Sequence, residues 1–511
     1  MAGGDGVRRA ARDPAVSLTL LGIASLGVYL VAFVRPYSLG RWAAVPQQTI
    51  AKIATMAPEA AIAYLLAFLA LILLYSAALR LASGPHRGGT WGVVLVFAAA
   101  FSAALVWLYP VDSADVFDNI IRGRMLALYG ANPFLHTPGE FPEDPFYAYA
   151  AWRGSASAYG PLWEMTAAGA AWLADVWSPA SPVIGNVLAF KLVGVLAYAG
   201  IVVLIGLHLR RTAPERALRG VLFFAWNPLV LYVTAGNGHN DALMAFLIVL
   251  GFVWLERGRL TLAALALTAG VLVKFVPALL LPIVVVVALR RLPGRRARTR
   301  ALIVTGLACC LLVVGSYAPF WRGGDPLGVG RRSGLFTTSL PSLIRWTLEP
   351  SVGAEAAQAL AIGVALGTLI AWQAWQLRAL WRSQDATAPV TAGLSILTFY
   401  LLVSCPWVQP WYALWLVALA PLVPCGALQG GSLVVSYAFL LKMPAFDWLI
   451  TPGGKLPPRI WREWRITLAT LGLPWLYWLG TLVRRWRRYA GRNQRPRAIG
   501  SSEQFRRWHE P

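Results

Sequence analysis

The sequence predicts an all-α, polytopic membrane protein of about fourteen transmembrane helices, with a large first external loop that carries interfacial helices. Three observations predict it. Of 511 residues, 58% are hydrophobic and only 13% charged, with a mean hydropathy of +0.59, outside the range of soluble domains. Apolar runs of about 15 to 25 residues recur from end to end, and in hydrocarbon such runs satisfy their backbone polar groups only as helices. The basic excess, 45 Lys+Arg against 22 Asp+Glu, falls in short segments between those runs. That is a topology signal and not a nucleic-acid groove.

At the start, Arg8, Arg9 and Arg12 precede the apolar run from Val16 to Val34. The run is long for a signal peptide and is followed by Arg35 without a small-residue cleavage site, so an uncleaved first span is expected. By the apolar-run criterion further spans are expected at 60–81 and 92–109, and after a polar interval at 185–207, 218–234, 241–256, 260–274, 276–290 and 301–319. The last five are expected at 352–378, 391–406, 410–424, 430–446 and 466–483. Arg210, Arg211, Arg216 and Arg219, Arg257 and Arg259, the basic segment 290–300, Arg378 and Arg382, and the arginines from Arg484 onward mark the cytoplasmic ends. The same parity sends 110–160, 235–240, 320–350, 407–409 and 447–465 outside.

Residues 162–177 are apolar enough to cross, but a crossing there would turn the arginines near 210 outward; an interfacial or re-entrant helix is expected, the alternative being an extra crossing balanced by a fused pair of spans within 260–290. Residues 1–483 read as a single transmembrane domain, and 484–511, with nine arginines and two glutamates, as a basic, disordered cytoplasmic tail. The four cysteines have no paired spacing in a loop, so neither a disulfide framework nor a zinc site is expected.

The first external loop opposes the charge of the chain. Between Tyr109 and Pro161 it holds six acids (Asp112, Asp115, Asp118, Glu140, Glu143, Asp144) against three arginines. Residues 114–129 read as a helix closed by Gly130, with Asp115, Asp118 and Arg122 on one face. A carboxylate here stands where water meets the bilayer, which suits a base acting on a lipid-borne substrate. The plainer reading makes Asp112 or Ser113 a helix cap, Asp115 a partner of the helix dipole, and Asp118 with Arg122 an i,i+4 pair. Arg124 is a further cation of this helix.

Three more groups share the outer edge. Asn237-Gly238-His239-Asn240-Asp241 closes one span in a chain of five histidines, and its His239, Asn240 and Asp241 suit a sugar or diphosphate as well as a helix cap. Lys274 lies near the outer end of a short span, where an ammonium snorkels or meets a lipid phosphate; Arg331, Arg332 and Arg345, with Arg122 and Arg124, compete for that role. Gln409-Pro410-Trp411-Tyr412 offers a stacking face and a polar complement for a sugar ring, or a part of the aromatic belt.

These residues together resemble the GT-C superfamily of membrane glycosyltransferases. Within it the chain is most similar to the polyprenyl-phosphate-mannose-dependent α-1,6-mannosyltransferases of actinobacterial lipoglycan synthesis. The resemblance rests on Asp115-Val116-Phe117, Gly123-Arg124, Tyr129-Gly130-Ala131-Asn132-Pro133-Phe134, Tyr159-Gly160-Pro161-Leu162-Trp163, Gly238-His239-Asn240-Asp241, Lys274-Phe275 and Gln409-Pro410-Trp411-Tyr412. It implies transfer of a hexose, mannose foremost, from a polyprenyl-phosphate donor to a glycan or glycolipid acceptor at the outer face of the cytoplasmic membrane, with inversion. Asp115 would be the base; Ala114 stands where the family pattern leads one to expect a second acid, and Asp112 or Asp118 would substitute for it. Asp118, Arg122, Arg124, His239, Asn240, Asp241, Lys274, Gln409, Trp411 and Tyr412 would bind substrate. No metal ligands are assigned; a divalent cation is the one cofactor left open. The rival class is a transporter or flippase of lipid-linked sugars, which needs ionisable residues deep within spans.

Overall fold

The computed structural model describes residues 14–46, 58–82, 88–321, 334–450 and 458–493. Arg8, Arg9, Arg12, Arg331, Arg332 and the tail beyond Asn493 lie outside them. Among the described residues the chain is helical, with two isolated β-bridges and no strand.

Helix α1 (Pro14–Val28) runs through a π turn to Val34, and a short α2 (Leu39–Trp42) leads toward α3 (Pro58–Leu81) and α4 (Gly88–Leu105). Aromatic side chains lock this corner: Phe33 meets Tyr64 at 4.8 Å, Phe68 at 5.0 Å and Tyr232 at 5.8 Å between ring centroids. The first loop then carries α5 (Asp115–Tyr129) and α6 (Pro161–Trp177) before the long α7 (Pro182–Thr212). The loop helix falls where the sequence predicts it. Gly130 closes α5 with φ of 63° and returns its N–H to the Met125 carbonyl. Helix α6, of 17 residues, presents Trp172, Leu173, Val176 and Trp177 outward.

The run expected to cross at 218–234 is broken. Helix α8 (Pro214–Ala225) stops, and α9 (Pro228–Leu231) restarts at an angle of 46°, continuing in a π turn to Gly236. The cause is local: Pro228 has no N–H to give, while Asn227 Oδ1 accepts the N–H groups of Leu229 and Val230 and so starts a new helix. The second half of the chain adds α10 (Asp241–Glu256), α11 (Leu260–Val271), α12 (Leu281–Arg291), α13 (Gly294–Tyr317), α14 (Leu340–Val352), α15 (Ala354–Arg382), α16 (Ala388–Phe399), α17 (Ala413–Leu419), α18 (Ala427–Ile450) and α19 (Arg459–Asn493). Helix α19 continues into the basic segment that the sequence reading places after 483.

Among the described residues six helices are long and apolar enough to cross a membrane: 14–34, 59–81, 182–212, 294–320, 354–382 and 459–487, with the bent pair a seventh if it is one broken span. This is fewer than the fourteen expected from apolar runs. Runs such as 260–271, 388–404 and 410–422 form helices of 10–17 residues. The clearest is the last, whose middle, α17, has every residue buried, so that its apolar composition serves packing against protein and is no measure of lipid contact.

The basic ends collect together. Arg290 donates to the Leu380 carbonyl at 2.6 Å, Arg291 to Leu255 at 3.1 Å, and Arg216 to Val423 at 3.1 Å. Leu255 lies at the far end of α10 from Asp241, about 21 Å away at the rise of an α-helix. The arginine-rich ends and the 237–241 turn therefore occupy opposite ends of the helices that join them.

Candidate active site

The first loop is fastened by its own charges. Asp118 is buried, with Oδ1 accepting from Trp152 N–H at 2.9 Å and Oδ2 from Ala151 N–H at 3.2 Å. Arg122 Nη1 is 3.9 Å from Asp118 Oδ1, and the guanidinium donates to the carbonyls of Asp118 and Ser155, each at 3.0 Å. Burial pushes the Asp118 carboxyl up to about 6, against the pull of Arg122 and of the Trp152 N–H. Arg124 Nε and Tyr129 Oη both donate to Asp144 Oδ2 at 2.8 Å, while Asp144 Oδ1 accepts from Phe146 N–H at 2.8 Å. Asp118, Arg122 and Arg124 thus clip residues 144–155 to α5.

Two glycines bring the loop helices into place by close approach. A Cβ on Gly123 would lie 2.4 Å from the Ala167 carbonyl oxygen, so α5 and α6 touch backbone to backbone. A Cβ on Gly160 would lie 2.1 Å from the Leu272 oxygen. There Gly160 N–H reaches Val273 O at 3.1 Å and Leu162 N–H reaches Leu272 O at 3.0 Å, which seats the end of the loop on the end of α11 beside Lys274.

At the other end of the loop, Asp112 meets the 237–241 turn. Its N–H donates to Asn237 Oδ1 at 3.0 Å, and its Oδ2 lies 3.4 Å from His239 Nε2. The His239 ring stacks on Trp411, with centroids 3.9 Å apart and planes at 18°. His239 Nε2, Asp112 Oδ2 and Asn240 Nδ2 are buried atoms without a hydrogen-bond partner among the described residues; polar atoms left so in a folded core mark a place for a ligand or water. Asp115 stands three residues on, at the first turn of α5, with its N–H on Ser113 Oγ at 3.0 Å. It is half-buried, and no described residue donates to its carboxylate. Gln409, half-buried, precedes Trp411 in the same turn. Among the described residues no group of three or more His, Cys, Asp or Glu side chains is placed to hold a metal ion.

Lys274 and Asp241 meet each other. Lys274 Nζ is 3.0 Å from both carboxylate oxygens of Asp241, and Trp415 Nε1 donates to Asp241 Oδ1 at 2.7 Å. The ammonium lies 4.5 Å from the Tyr412 ring centre and 5.8 Å from that of Trp415, which stack on one another at 4.4 Å. Its charge is matched inside the protein, and the pair ties α10, α11 and α17 together.

The sequence-predicted residues therefore fall into three groups: Asp112, Asp115, His239, Asn240, Gln409 and Trp411 around the unpaired buried atoms; Asp241, Lys274 and Tyr412 in the ion pair and its aromatic wall; Asp118, Arg122 and Arg124 in the loop clip. Sequence reasoning missed Lys191, wholly buried, whose Nζ donates to the carbonyls of Val106, at 3.0 Å, and Leu108 where α4 ends before Asp112. It missed Lys442, which donates to Val408 O at 3.3 Å, and the Trp415 N–H. A lone lysine inside an apolar run is itself a signal that would have found the first two.

The family described as alpha-(1->6)-mannopyranosyltransferase, N-terminal domain, matches residues 19–290, just over half of the chain. Similar proteins are alpha-(1->6)-mannopyranosyltransferase B of Corynebacterium glutamicum, 23% identical over 398 residues covering 70% of this chain, and alpha-(1->6)-mannopyranosyltransferase A of Mycobacterium tuberculosis, 26% identical over 344 residues covering 62% of it. The matched regions span 62% and 63% of the length of those two relatives.

Proposed function

Because the chain belongs to the alpha-(1->6)-mannopyranosyltransferase family, we propose that it transfers mannose from a polyprenyl-phosphate donor to a glycan or glycolipid acceptor at the outer face of the cytoplasmic membrane. The observation that carries this reading is the Asp115 carboxylate, free of any described donor, next to an Asp112–His239–Trp411 centre with unpaired buried polar atoms.

In the proposed step Asp115 takes the proton of the acceptor hydroxyl as its oxygen bonds to the anomeric carbon. The bond from that carbon to the phosphate oxygen breaks, and the electron pair leaves with the polyprenyl phosphate. One displacement inverts the anomeric centre and needs one carboxylate, unlike the pair of a glycosidase. His239 and Asn240 offer N–H donors to the developing phosphate charge, with Asp112 beside the His239 ring. Trp411 and Gln409 give the sugar a stacking wall and a polar contact. We assign Asp118, Arg122, Arg124 and the Asp241–Lys274 pair to positioning, since each makes hydrogen bonds or ion pairs that tie parts of the protein together.

The test is to incubate membranes containing the protein with labelled polyprenyl-phosphate-mannose and a mannoside acceptor. A new glycosidic bond of inverted anomeric configuration supports the reading. Movement of the intact lipid across vesicles without bond formation would replace it with a flippase.

A further inference from the structure

The chain that leads from the end of α4 to Asp112 is buried and is pinned from two sides. Leu105, Leu108, Tyr109 and Val111 are each 0% exposed, so the backbone there must find its partners within the protein. On one side Leu39 N–H donates to Trp107 O at 2.6 Å, and Tyr109 N–H to Tyr37 O at 2.7 Å. On the other, the carbonyls of Val106 and Leu108 both accept from Lys191 Nζ, and the Leu105 carbonyl lies 3.5 Å from the same nitrogen. Further on, Asp112 N–H meets Asn237 Oδ1.

The stem of the same side chain touches the turn that carries His239. Gly238 has φ of 70°, and a Cβ there would lie 3.3 Å from Lys191 Cγ and 3.1 Å from Val116 Cγ2. Gly238 is therefore wedged between Lys191 and the residue that follows Asp115. A Cβ on Gly236 would lie 3.3 Å from Leu108 Cδ2, so the buried segment and the turn also pack on one another directly. Lys191 belongs to α7, which packs against α5, α6 and α10. One side chain thus refers the chain before Asp112 and the turn before His239 to a single long helix.

Packing alone does not account for a lysine here. A wholly buried amino group inside an apolar helix costs free energy that a methionine of similar length avoids. Among the described residues no carboxylate offsets that cost, and the hydrogen bonds of the amine go to the backbone ahead of Asp112. We propose that Lys191 is a positioning residue for the Asp112–His239 pair: its amino group fixes the chain ahead of Asp112, its stem backs the turn that presents His239, and together they set the 3.4 Å approach of the two side chains. That the pair serves sugar transfer rests on the transferase reading; that Lys191 sets the pair does not.

The experiment is a double-mutant cycle on the full chain in nanodiscs, with labelled polyprenyl-phosphate-mannose and a mannoside acceptor. Lys191→Met should lower kcat about tenfold to 10²-fold, the cost of a shift of about 1 Å, while the KM for the donor moves by no more than about threefold. Lys191→Gln, whose amide keeps a donor one bond short of the amine, should lose less, and it carries the cycle if Lys191→Met does not accumulate as folded protein. In a His239→Ala background either substitution should have no further effect, because it acts through the pair. The same fold loss in both backgrounds is the mark of a general structural role and overturns the proposal, as does wild-type turnover by Lys191→Met. A readout independent of transfer is the NMR signal of the His239 Cε1–H in protein with isotope-labelled histidine, identified by its absence from His239→Ala. Lys191→Met or Lys191→Gln should shift this signal and its titration, and an unmoved signal overturns the proposal even where turnover is too low to follow. A shifted signal in a protein that makes no mannoside keeps the role of Lys191 and loses the transferase reading.

Discussion

At the scale of single residues, the site separates acids by what surrounds them. Asp118 is held by two backbone N–H groups and a nearby guanidinium, yet burial raises its carboxyl from 3.8 to about 6. Between those values the folded protein binds more protons than the unfolded chain. The contribution of Asp118 to stability is therefore fully present below pH 3.8 and is lost as pH rises through about 6. Asp118→Asn should flatten this part of the curve: melting temperatures of variant and wild type, followed from pH 4 to 7, should shift in favour of the variant, and parallel curves would contradict the assignment. The Lys274–Asp241 pair gives a second prediction. Lys274→Met leaves an acid that is 0% exposed with a lone indole donor and should cost about 3–5 kcal/mol of stability, partly restored by Asp241→Asn in the same chain. Unchanged thermal inactivation with weakened donor binding would return Lys274 to a phosphate ligand. Much of this was out of reach of the sequence. The i,i+4 spacing of Asp118 and Arg122 was legible, but the union of Asp241 with Lys274, or of Asp112 with His239, joins residues far apart in the chain, and spacing carries no information about such contacts.

At the scale of elements, the loop helices were legible because they obey local rules. Asp115–Tyr129 ends at a left-handed glycine, and Pro161 starts α6 at a position where its missing N–H costs nothing. Their packing was not legible, since Gly123 and Gly160 work through neighbours distant in sequence. Gly123→Ala forces the α5 and α6 backbones apart, and Gly160→Ala lifts the loop off Leu272. Each should cost about 1–3 kcal/mol, as overpacking does, and should lower transfer more than donor binding, because Asp115, the proposed base, and the 237–241 turn lose register. Thermal stability and donor affinity measured on the same preparation check this; a variant with wild-type values in both would show that the close approach is dispensable. The spans were the least legible elements. An apolar run reports burial without saying whether lipid or protein provides it, and the Asn227-Pro228 break shows a cap outweighing a continuous apolar run.

At the scale of the whole molecule, the arginine-rich ends and the candidate site lie at opposite ends of the helices. Arg216, Arg290 and Arg291 gather with the carbonyls of Val423, Leu380 and Leu255, as the positive-inside pattern leads one to expect of a cytoplasmic face, while the aspartates and the 237–241 turn lie at the other. This arrangement supports the proposed orientation. In a Cys425→Ser background, a cysteine at Leu135, 40% exposed in the first loop, should react with an impermeant maleimide on intact cells, and one at Arg300 only after lysis; the reverse pattern would invert the topology. Family membership was likewise legible, because its motifs are short, ordered along the chain and confined to one edge. The central claim is that Asp115 abstracts the acceptor proton in mannosyl transfer. Its most direct test is the rate of mannoside formation by Asp115→Asn beside wild type, with both shown to be folded and to bind polyprenyl phosphate. The account predicts a loss of about 10²–10⁴-fold, the contribution of a general base, and wild-type turnover by Asp115→Asn would contradict it.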